Sequence, residues 1–361
     1  MSTQPDLLYS EEEEALRSAL RDLLTDRCDP AGVIARTESD TAHDPELWKA
    51  LADGMGLAGL LVPEERGGQG ASHREVAVVL EELGRAVAPV PYLTSAVVAT
   101  EALLACDAAD ELLTRLASGR AVGALAVGLH IAPDAAFPVV RHQDGTLHGE
   151  LTGVADAAAA DVLLVPADDG GLYAVDASEA TVTPQVSLDL TRPVATVVLR
   201  GAAGHRLGAA EPAVRRALRS AAGLLASEQL GIAEWTLTET VRHLKERTQF
   251  NRPVGGFQAL KHRLAQLWLE TVNLRAAARN AADALATGED PDVAVAVAQA
   301  YAAPVAVHTA EEAVQLHGGI GMTWEHPVHL YLKRAKADSI AYGTAGAHRE
   351  RLAVLVDLRA P

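Results

Sequence analysis

The residues best suited to chemistry lie between Arg247 and Gln258, in a stretch that reads Arg-Thr-Gln-Phe-Asn-Arg-Pro-Val-Gly-Gly-Phe-Gln. A guanidinium can bind a phosphate through two parallel hydrogen bonds, and a glutamine amide can both donate and accept. Arg247 also follows a long helix-patterned run, and a cation at a helix C-terminus is stabilised by the helix dipole without any ligand. The stretch therefore predicts either a phosphate contact or a helix end.

A second candidate segment is Gln315-Leu-His-Gly-Gly-Ile-Gly-Met322, further along the chain. Paired glycines commonly end a helix because they adopt left-handed backbone angles readily. Glycines also let a ligand approach the backbone closely, since they carry no Cβ. The pattern alone favours the helix end and leaves a ligand contact open.

Sequence motifs for metal, nucleotide or nucleophilic chemistry give no further site. The sequence has no His-Glu-x-x-His, Cys-x-x-Cys, Gly-x-Ser-x-Gly or Walker pattern. Its thirteen histidines are scattered, and the neighbouring His326 and His329 have no supporting carboxylate pattern. We therefore expect no metal site.

Charge and composition exclude some classes of partner. The 48 acidic and 31 basic residues give a formal net charge of −17, which repels nucleic acid and anionic membranes. Only Cys28 and Cys106 could form a disulfide, and we expect both thiols to be reduced. The N-terminus has no signal-peptide pattern, and we expect no membrane span. A cytoplasmic protein is the expectation.

The hydrophobic period changes twice along the chain and predicts the elements that position these segments. Helical spacing extends to about residue 118, after an N-cap at Ser10 followed by four glutamates. Alternating strands follow to about residue 206, and long helices then return, at 212–247, 257–287, 292–316 and 345–358. We expect an α+β fold with a helical domain at 1–118, a β domain at 119–206 and a helical bundle at 207–361.

The two candidate segments, in this order, closely resemble the paired C-terminal signatures of acyl-CoA dehydrogenases. These FAD enzymes oxidise acyl-CoA thioesters to enoyl-CoA. Upstream, Asp189-Leu-Thr-Arg192 and the Pro63–Gly70 stretch Pro-Glu-Glu-Arg-Gly-Gly-Gln-Gly match the family as well. The resemblance covers most of residues 10–358. It implies an N-terminal helical domain, a small middle β domain or barrel, and a C-terminal four-helix bundle.

The resemblance also implies cofactor-binding roles for residues of both segments. Arg247 would reach the FAD pyrophosphate, while Phe250 would pack beside the cofactor and Gln258 would hydrogen-bond to it. The second segment would contact the adenosine half of an FAD bound mainly by a neighbouring subunit. The complete expected set is Arg247, Phe250, Gln258, Gln315, Gly318, Gly319 and Thr344.

The catalytic base of the family is missing. Its carboxylate removes the α-proton while the flavin takes hydride from the β-carbon, so the base must be within hydrogen-bond reach of the substrate. The resemblance implies two placements, which are occupied here by Tyr342 and Ala221. Glu228 lies about 10 Å along the helix from Ala221, at 1.5 Å per residue, which is too far for the same substrate pose. No catalytic residue is therefore predicted.

The segments that line the flavin ring in the family also depart from its pattern. The corresponding stretches are Val127-Gly-Leu-His-Ile-Ala-Pro-Asp134 and Gly153-Val-Ala-Asp-Ala-Ala-Ala159, which lack the family's hydroxyl residues. The half of the site for the chain's own flavin is thus altered, while the half that reaches a neighbour's flavin is retained. The chain resembles actinobacterial family members that lack the catalytic Glu.

Four interpretations follow from this resemblance. In the first, the chain is a homotetrameric acyl-CoA dehydrogenase with an unrecognised base. In the second, it is a silent subunit that completes the FAD site of a Glu-bearing partner. The second assembly would be an α2β2 dimer of dimers, as in actinobacterial steroid side-chain breakdown. The other two are a flavin-dependent oxygenase and a CoA-thioester binding protein. Acyl-CoA is the implied substrate, of a fatty acid or a steroid side chain. The resemblance also allows an electron-transfer flavoprotein as a redox partner.

Overall fold

The computed structural model describes residues 7–39 and 41–358. The prediction that the N-terminus carries no signal peptide concerns residues that lie partly outside this described part. Six α-helices form the described part of the first region. The predicted N-cap is confirmed: the Ser10 side chain accepts from the Glu13 backbone, and the Glu13 side chain accepts from Ser10 N–H. The helices are α1 (Glu11–Arg27), α2 (Pro30–Thr37), α3 (Pro45–Lys49), α4 (His73–Ala86), α5 (Thr100–Leu104) and α6 (Asp110–Ala117).

Two four-stranded sheets form the middle region and enclose a separate apolar core. Their strand orders are β1-β4-β5-β8 and β2-β3-β7-β6, and only β1 and β4 pair in parallel. Sequence patterning predicted strands at β3, β4, β5 and β7 and missed the other four. The strands are β1 (Gly123–Leu125), β2 (Arg141–Gln143), β3 (Thr146–Ala155), β4 (Val162–Pro166), β5 (Gly171–Asp176), β6 (Ala180–Pro184), β7 (Val194–Ala203) and β8 (His205–Ala209).

Long helices return in the third region and form a bundle. Between α7 and α8, the short strands β9 (Thr248–Gln249) and β10 (Arg252–Pro253) make a hairpin. The expected α+β fold is confirmed, and we keep the division after residues 118 and 206 as a proposal. The helices are α7 (Ala210–Glu246), α8 (Gln258–Thr287), α9 (Pro291–His317), α10 (Val328–Asp338) and α11 (Ala345–Leu355).

One part of the bundle corrects the sequence analysis. The helical segment Pro291–Met322 is long and apolar enough to span a membrane, with a mean hydropathy of 1.4 in its most apolar window. The alanine-rich run in α9 is an uncharged stretch of that length, which the sequence analysis overlooked. Within this fold 61% of the window is buried, because α9 packs against α7 and α8. The composition therefore fits a core helix of the bundle.

Helices α4 and α7 cross at unusually close range. A Cβ at Gly231 would lie 1.9 Å from the Glu81 carbonyl oxygen, and a Cβ at Gly84 would lie 2.2 Å from the Glu228 carbonyl oxygen. Two glycines on facing helices thus allow backbone contact that any side chain would prevent. This crossing fixes the N-terminal helices to the middle of α7, which in turn carries the candidate site residues.

Candidate cofactor interface and base position

The C-terminus of α7, the N-terminus of α8 and the C-terminus of α9 lie together at one end of the bundle. The His243 ring of α7 stacks on the His317 ring of α9 with centroids 4.4 Å apart. Gly255, just before α8, lies against Leu244 of α7. The alternating direction of the three helices thus brings together residues far apart in sequence, namely Arg247, Phe250, Gln258, Gln315, Gly318 and Gly319.

All six of these residues are exposed in the single chain. The Arg247 guanidinium and the side-chain amides of Gln258 and Gln315 have no hydrogen bond or ion pair within residues 7–39 and 41–358. An exposed aromatic ring accompanies them, since Phe250 retains 86% of its accessible surface. This end of the bundle therefore presents free donors and an apolar ring to whatever binds there.

The hairpin between α7 and α8 sets the position of Phe250. Phe250 and Asn251 both adopt positive φ, 51° and 60°, as a two-residue turn of this kind requires. The Phe250 ring meets Phe257 edge-on at 6.1 Å, and the Arg252 guanidinium lies 3.8 Å above the Phe257 ring. Phe250 is thus held outward by local packing.

The two base positions hold no usable base. Tyr342 is only 3% exposed, and burial raises the pKa of its phenol well above the ordinary value. Its backbone N–H donates to the Leu129 carbonyl at 2.7 Å. Ala221, at the second position, is fully buried. Neither residue can remove an α-proton at neutral pH.

Glu228 is a paired anion. It accepts from Arg192 at 2.5 Å and from Arg334 at 2.7 Å. Burial opposes ionisation, yet these two guanidinium groups lower the pKa of Glu228 to about 2. Asp189 and Asp338 join the same network and, like Glu228, are at most 2% exposed. The network ties the middle region to α7 and α10 and leaves these carboxylates inaccessible to a substrate.

The two altered flavin-lining segments contact each other directly. Leu129 N–H donates to the Gly153 carbonyl at 2.8 Å, and the Leu129 carbonyl accepts from Tyr342. A Cβ at Gly343 would lie 2.9 Å from the Ala132 Cβ, so the loop before α11 also packs tightly here. With no side-chain hydroxyl in either segment, this position does not fit an isoalloxazine ring. Among the described residues, the exposed end of the bundle offers the guanidinium and amide groups that suit the phosphates and hydroxyls of an FAD.

The acidic side chain of the second segment is turned inward. Asp156 accepts a hydrogen bond from the Thr94 hydroxyl at 2.7 Å and is 4% exposed. Burial raises the pKa of this carboxyl to about 6, against the lowering effect of Arg192. Asp156 therefore joins the middle region to the N-terminal helices.

Thr344 does not lie with the other predicted cofactor residues. Its side chain caps α11 by accepting from Ala347 N–H at 3.2 Å. Its neighbours are Tyr342, Gly343 and His348, and the His348 Nε2 bonds to the Tyr342 carbonyl. Thr344 belongs to the base position, so its proposed cofactor role concerns a different place from that of Arg247.

A cleft that the sequence analysis missed adjoins this loop. It measures about 430 Å³, and its charged lining includes Arg215, Arg216, Arg219 and Arg351. Most of these guanidinium groups already have partners: Arg216 pairs with Glu101, and Arg215 donates to the Pro133 carbonyl at 2.8 Å. The signal in the sequence that could have indicated this cleft is the pair of arginines one helical turn apart at the start of α7.

Comparisons with known proteins agree with this architecture. The N-terminal domain model of acyl-CoA dehydrogenases matches residues 10–120, and the C-terminal domain model matches residues 212–355. The fold and these two matches define a flavoprotein oxidoreductase. The chain belongs to the acyl-CoA dehydrogenase family, whose members depend on FAD. The expected family and cofactor class are confirmed.

Relatives from actinobacteria are among the similar proteins. Acyl-CoA dehydrogenase IpdE2 of Mycolicibacterium smegmatis is 34% identical over 95% of this chain and 98% of its own length. The Tcur3481-Tcur3483 steroid acyl-CoA dehydrogenase G363A variant has a TM-score of 0.85 and 31% identity, covering 96% and 98%. The ChsE4-ChsE5 complex from Mycobacterium tuberculosis has a TM-score of 0.86 and 29% identity, covering 99% and 100%.

Proposed function

We propose that this chain is the silent subunit of a mixed acyl-CoA dehydrogenase and completes the FAD site of a partner that retains the catalytic Glu. One observation carries the proposal: Arg247 is exposed and has no partner among the described residues, whereas Tyr342 and Ala221 are buried and cannot act as the base. A free guanidinium is suited to phosphate, and a closed base position is not suited to dehydrogenation.

The distance between the base position and the exposed end of the bundle supports the proposal that they belong to different active sites. Ala221 and Glu246 lie on the same helix, 25 residues apart. At 1.5 Å per residue this separation is about 38 Å. Residues so far apart cannot flank one reaction centre, so the exposed end serves a cofactor centred on another chain.

The division of work between the two subunits then follows. The partner's FAD would supply the hydride acceptor, and the partner's Glu would remove the α-proton. This chain contributes Arg247 to the pyrophosphate, Gln258 and Gln315 as hydrogen-bonding groups, and the Gly318–Gly319 backbone to the adenosine half. Phe250 covers the cofactor on its apolar side. The reaction is α,β-desaturation of an acyl-CoA.

Two of the similar proteins support a mixed assembly. One solved relative is a complex of two differently named chains, ChsE4 and ChsE5, and another is described as a steroid acyl-CoA dehydrogenase. We therefore infer an α2β2 dimer of dimers in the cytoplasm acting on a steroid-derived or fatty acyl-CoA. An electron-transfer flavoprotein is the inferred electron acceptor.

Visible absorption of the purified protein tests the proposal. The chain is purified alone and after co-expression with a homologue that retains the Glu, ideally from a neighbouring gene. We expect no flavin absorbance from the chain alone and a stable flavin spectrum from the co-purified pair. Stoichiometric flavin in the isolated chain would contradict the proposal, as would failure of the two chains to co-purify.

A further inference from the structure

A cluster of two histidines and a glutamate lies beside the cofactor end of the bundle. Glu239 of α7, His317 at the end of α9 and His326 of the following loop place their candidate ligand atoms within 4.8 Å of one another. These residues are far apart in sequence and meet only in the folded chain. We propose that they bind one divalent transition-metal ion of the Zn²⁺ class.

His317 supplies the strongest observation. It is 2% exposed, and its Nδ1 lies 2.7 Å from the Ala313 carbonyl oxygen, to which it donates. In a neutral ring the proton is then on Nδ1 and the lone pair on Nε2. That Nε2 atom is buried and has no hydrogen-bond partner in the described structure. A bound ion accounts for a buried acceptor that is otherwise unsatisfied.

Glu239 and His326 keep the freedom to complete the site. Arg242 holds both Glu239 oxygens, yet an ionised carboxylate has about four lone-pair positions and can still bind a cation. His326 Nδ1 accepts only one long bond, of 3.3 Å, from Val328 N–H. Binding metal through its Nε2 requires a proton on Nδ1 and gives up this weak bond alone.

The spacing and the ligand types favour Zn²⁺. Zn–N and Zn–O distances are about 2.0–2.2 Å, so tetrahedral ligand atoms lie roughly 3.4 Å apart. Closing the cluster from 4.8 Å needs shifts of little more than one ångström in two partly exposed side chains, Glu239 and His326. Two imidazoles and a carboxylate suit Zn²⁺. Mg²⁺ and Ca²⁺ prefer oxygen ligands and therefore do not suit a set with two nitrogen ligands.

Metal binding here has a defined structural consequence. The segment between His317 and His326 contains Gly318–Met322, a short 3₁₀ helix at the exposed end. The ion would join both ends of this segment to α7 and so restrict its motion. An effect of this restriction on the binding of a partner's FAD rests on the proposed function. Metal binding itself does not depend on the proposed function.

The test uses the full chain alone, with any affinity tag removed, so its result is independent of dehydrogenase activity. The protein is stripped with a chelator, returned to chelator-free buffer and titrated with ZnCl₂ by calorimetry, and bound metal is counted after gel filtration. We expect one Zn²⁺ per chain. Metal content far below one equivalent would overturn the proposal.

Ligand variants distinguish this site from surface binding. We expect Glu239→Gln and His326→Gln each to weaken Zn²⁺ binding by at least about tenfold. His329→Gln changes a nearby histidine in the first turn of α10, outside the cluster, and should bind as the wild type does. Hydrogen exchange of residues 318–326 should slow when ZnCl₂ is added. Unchanged affinity in both ligand variants would overturn the assignment, and thermal unfolding of each variant verifies its fold.

Discussion

Arg247 is the residue on which the proposed function depends most. Its guanidinium is exposed and has no partner among the described residues, so Arg247→Ala should leave the thermal unfolding of the chain nearly unchanged. A charge-assisted bond to a phosphate contributes about 1.5–3 kcal/mol, so flavin retention by the co-purified pair should fall by roughly 10- to 100-fold. Flavin absorbance during dialysis measures this.

Two further arginine variants sharpen the experiment on Arg247. Arg141→Ala removes an exposed arginine of β2, far from the bundle end, and should leave flavin retention unchanged. Arg219→Ala changes the cleft beside the base position. Turnover of the pair should survive this change, because the substrate is expected to bind the partner. A large rise in KM with Arg219→Ala would instead assign the substrate to this chain.

Asp156 makes stability depend on pH in a defined direction. Its folded pKa of about 6 is raised above the ordinary 3.8, mainly by burial. A raised carboxyl pKa means that the stability from the protonated form is lost as pH rises through about 6. Asp156→Asn removes the ionisation, and Asn tolerates the φ of 52° at this position.

The Asp156→Asn variant should therefore be more stable than the wild type at pH 8 by about 1–3 kcal/mol and nearly equal to it at pH 4. Urea unfolding at the two pH values measures the difference. Asp144→Asn is the matched control, because Asp144 also has positive φ but is exposed. A variant that is equally destabilised at both pH values would show that the Thr94 hydrogen bond matters more than ionisation.

Sequence patterns located some of these residues and could not locate others. The position of Arg247 was predictable, because α7 is a continuous periodic run that ends at Glu246. The pairing of Glu228 with Arg192 and Arg334 was not, since only tertiary packing brings these residues together. The histidine cluster was missed for the same reason: Glu239 and His326 are separated by α8 and α9.

At the scale of elements, the crossing of α4 and α7 is the contact least tolerant of change. Gly231→Ala would place a methyl group against the backbone of Glu81. Overpacking typically costs about 1–3 kcal/mol and more where backbone must move, so we expect at least about 2 kcal/mol of destabilisation. Chemical denaturation measures it.

Gly54→Ala is the control for this helix crossing, because a Cβ there meets no atom within 4 Å. It should be neutral or slightly stabilising, since Gly at a helical position is less favourable than Ala. Equal stability of Gly231→Ala and Gly54→Ala would mean that α4 and α7 can separate without loss.

The elements themselves were predictable to different degrees. Four helices of the bundle, α7, α8, α9 and α11, were predicted within a few residues because their apolar period is regular, whereas the short helix α10 was missed. The strands β1 and β2 were missed because three residues cannot establish a period. The π-helical segments Ala50–Gly54 and Tyr92–Ala99 have no sequence signature that distinguishes them from an α-helix, so the sequence predicts ordinary helix at both places.

At the scale of the whole molecule, the chain combines an intact scaffold with a one-sided site. The sequence resemblance was sufficient to predict the family, because its motifs lie at recognisable places on the scaffold. It could not show that Tyr342 is buried against Leu129, since that contact joins the middle region to the loop before α11. The closed base position is therefore a structural finding, and it supports the proposal that the chain functions together with a partner.

The central claim is that this chain is silent alone and completes the FAD site of a partner. Steady-state turnover of acyl-CoA with an artificial electron acceptor tests it most directly, when it is measured for the chain, for a Glu-bearing partner and for their mixture. Loss of a general base typically costs on the order of 100- to 10,000-fold in rate. We expect negligible turnover from the chain alone and full turnover only from the mixture, unaffected by Tyr342→Phe because this phenol takes no part. Robust turnover by the isolated wild-type chain would contradict the account.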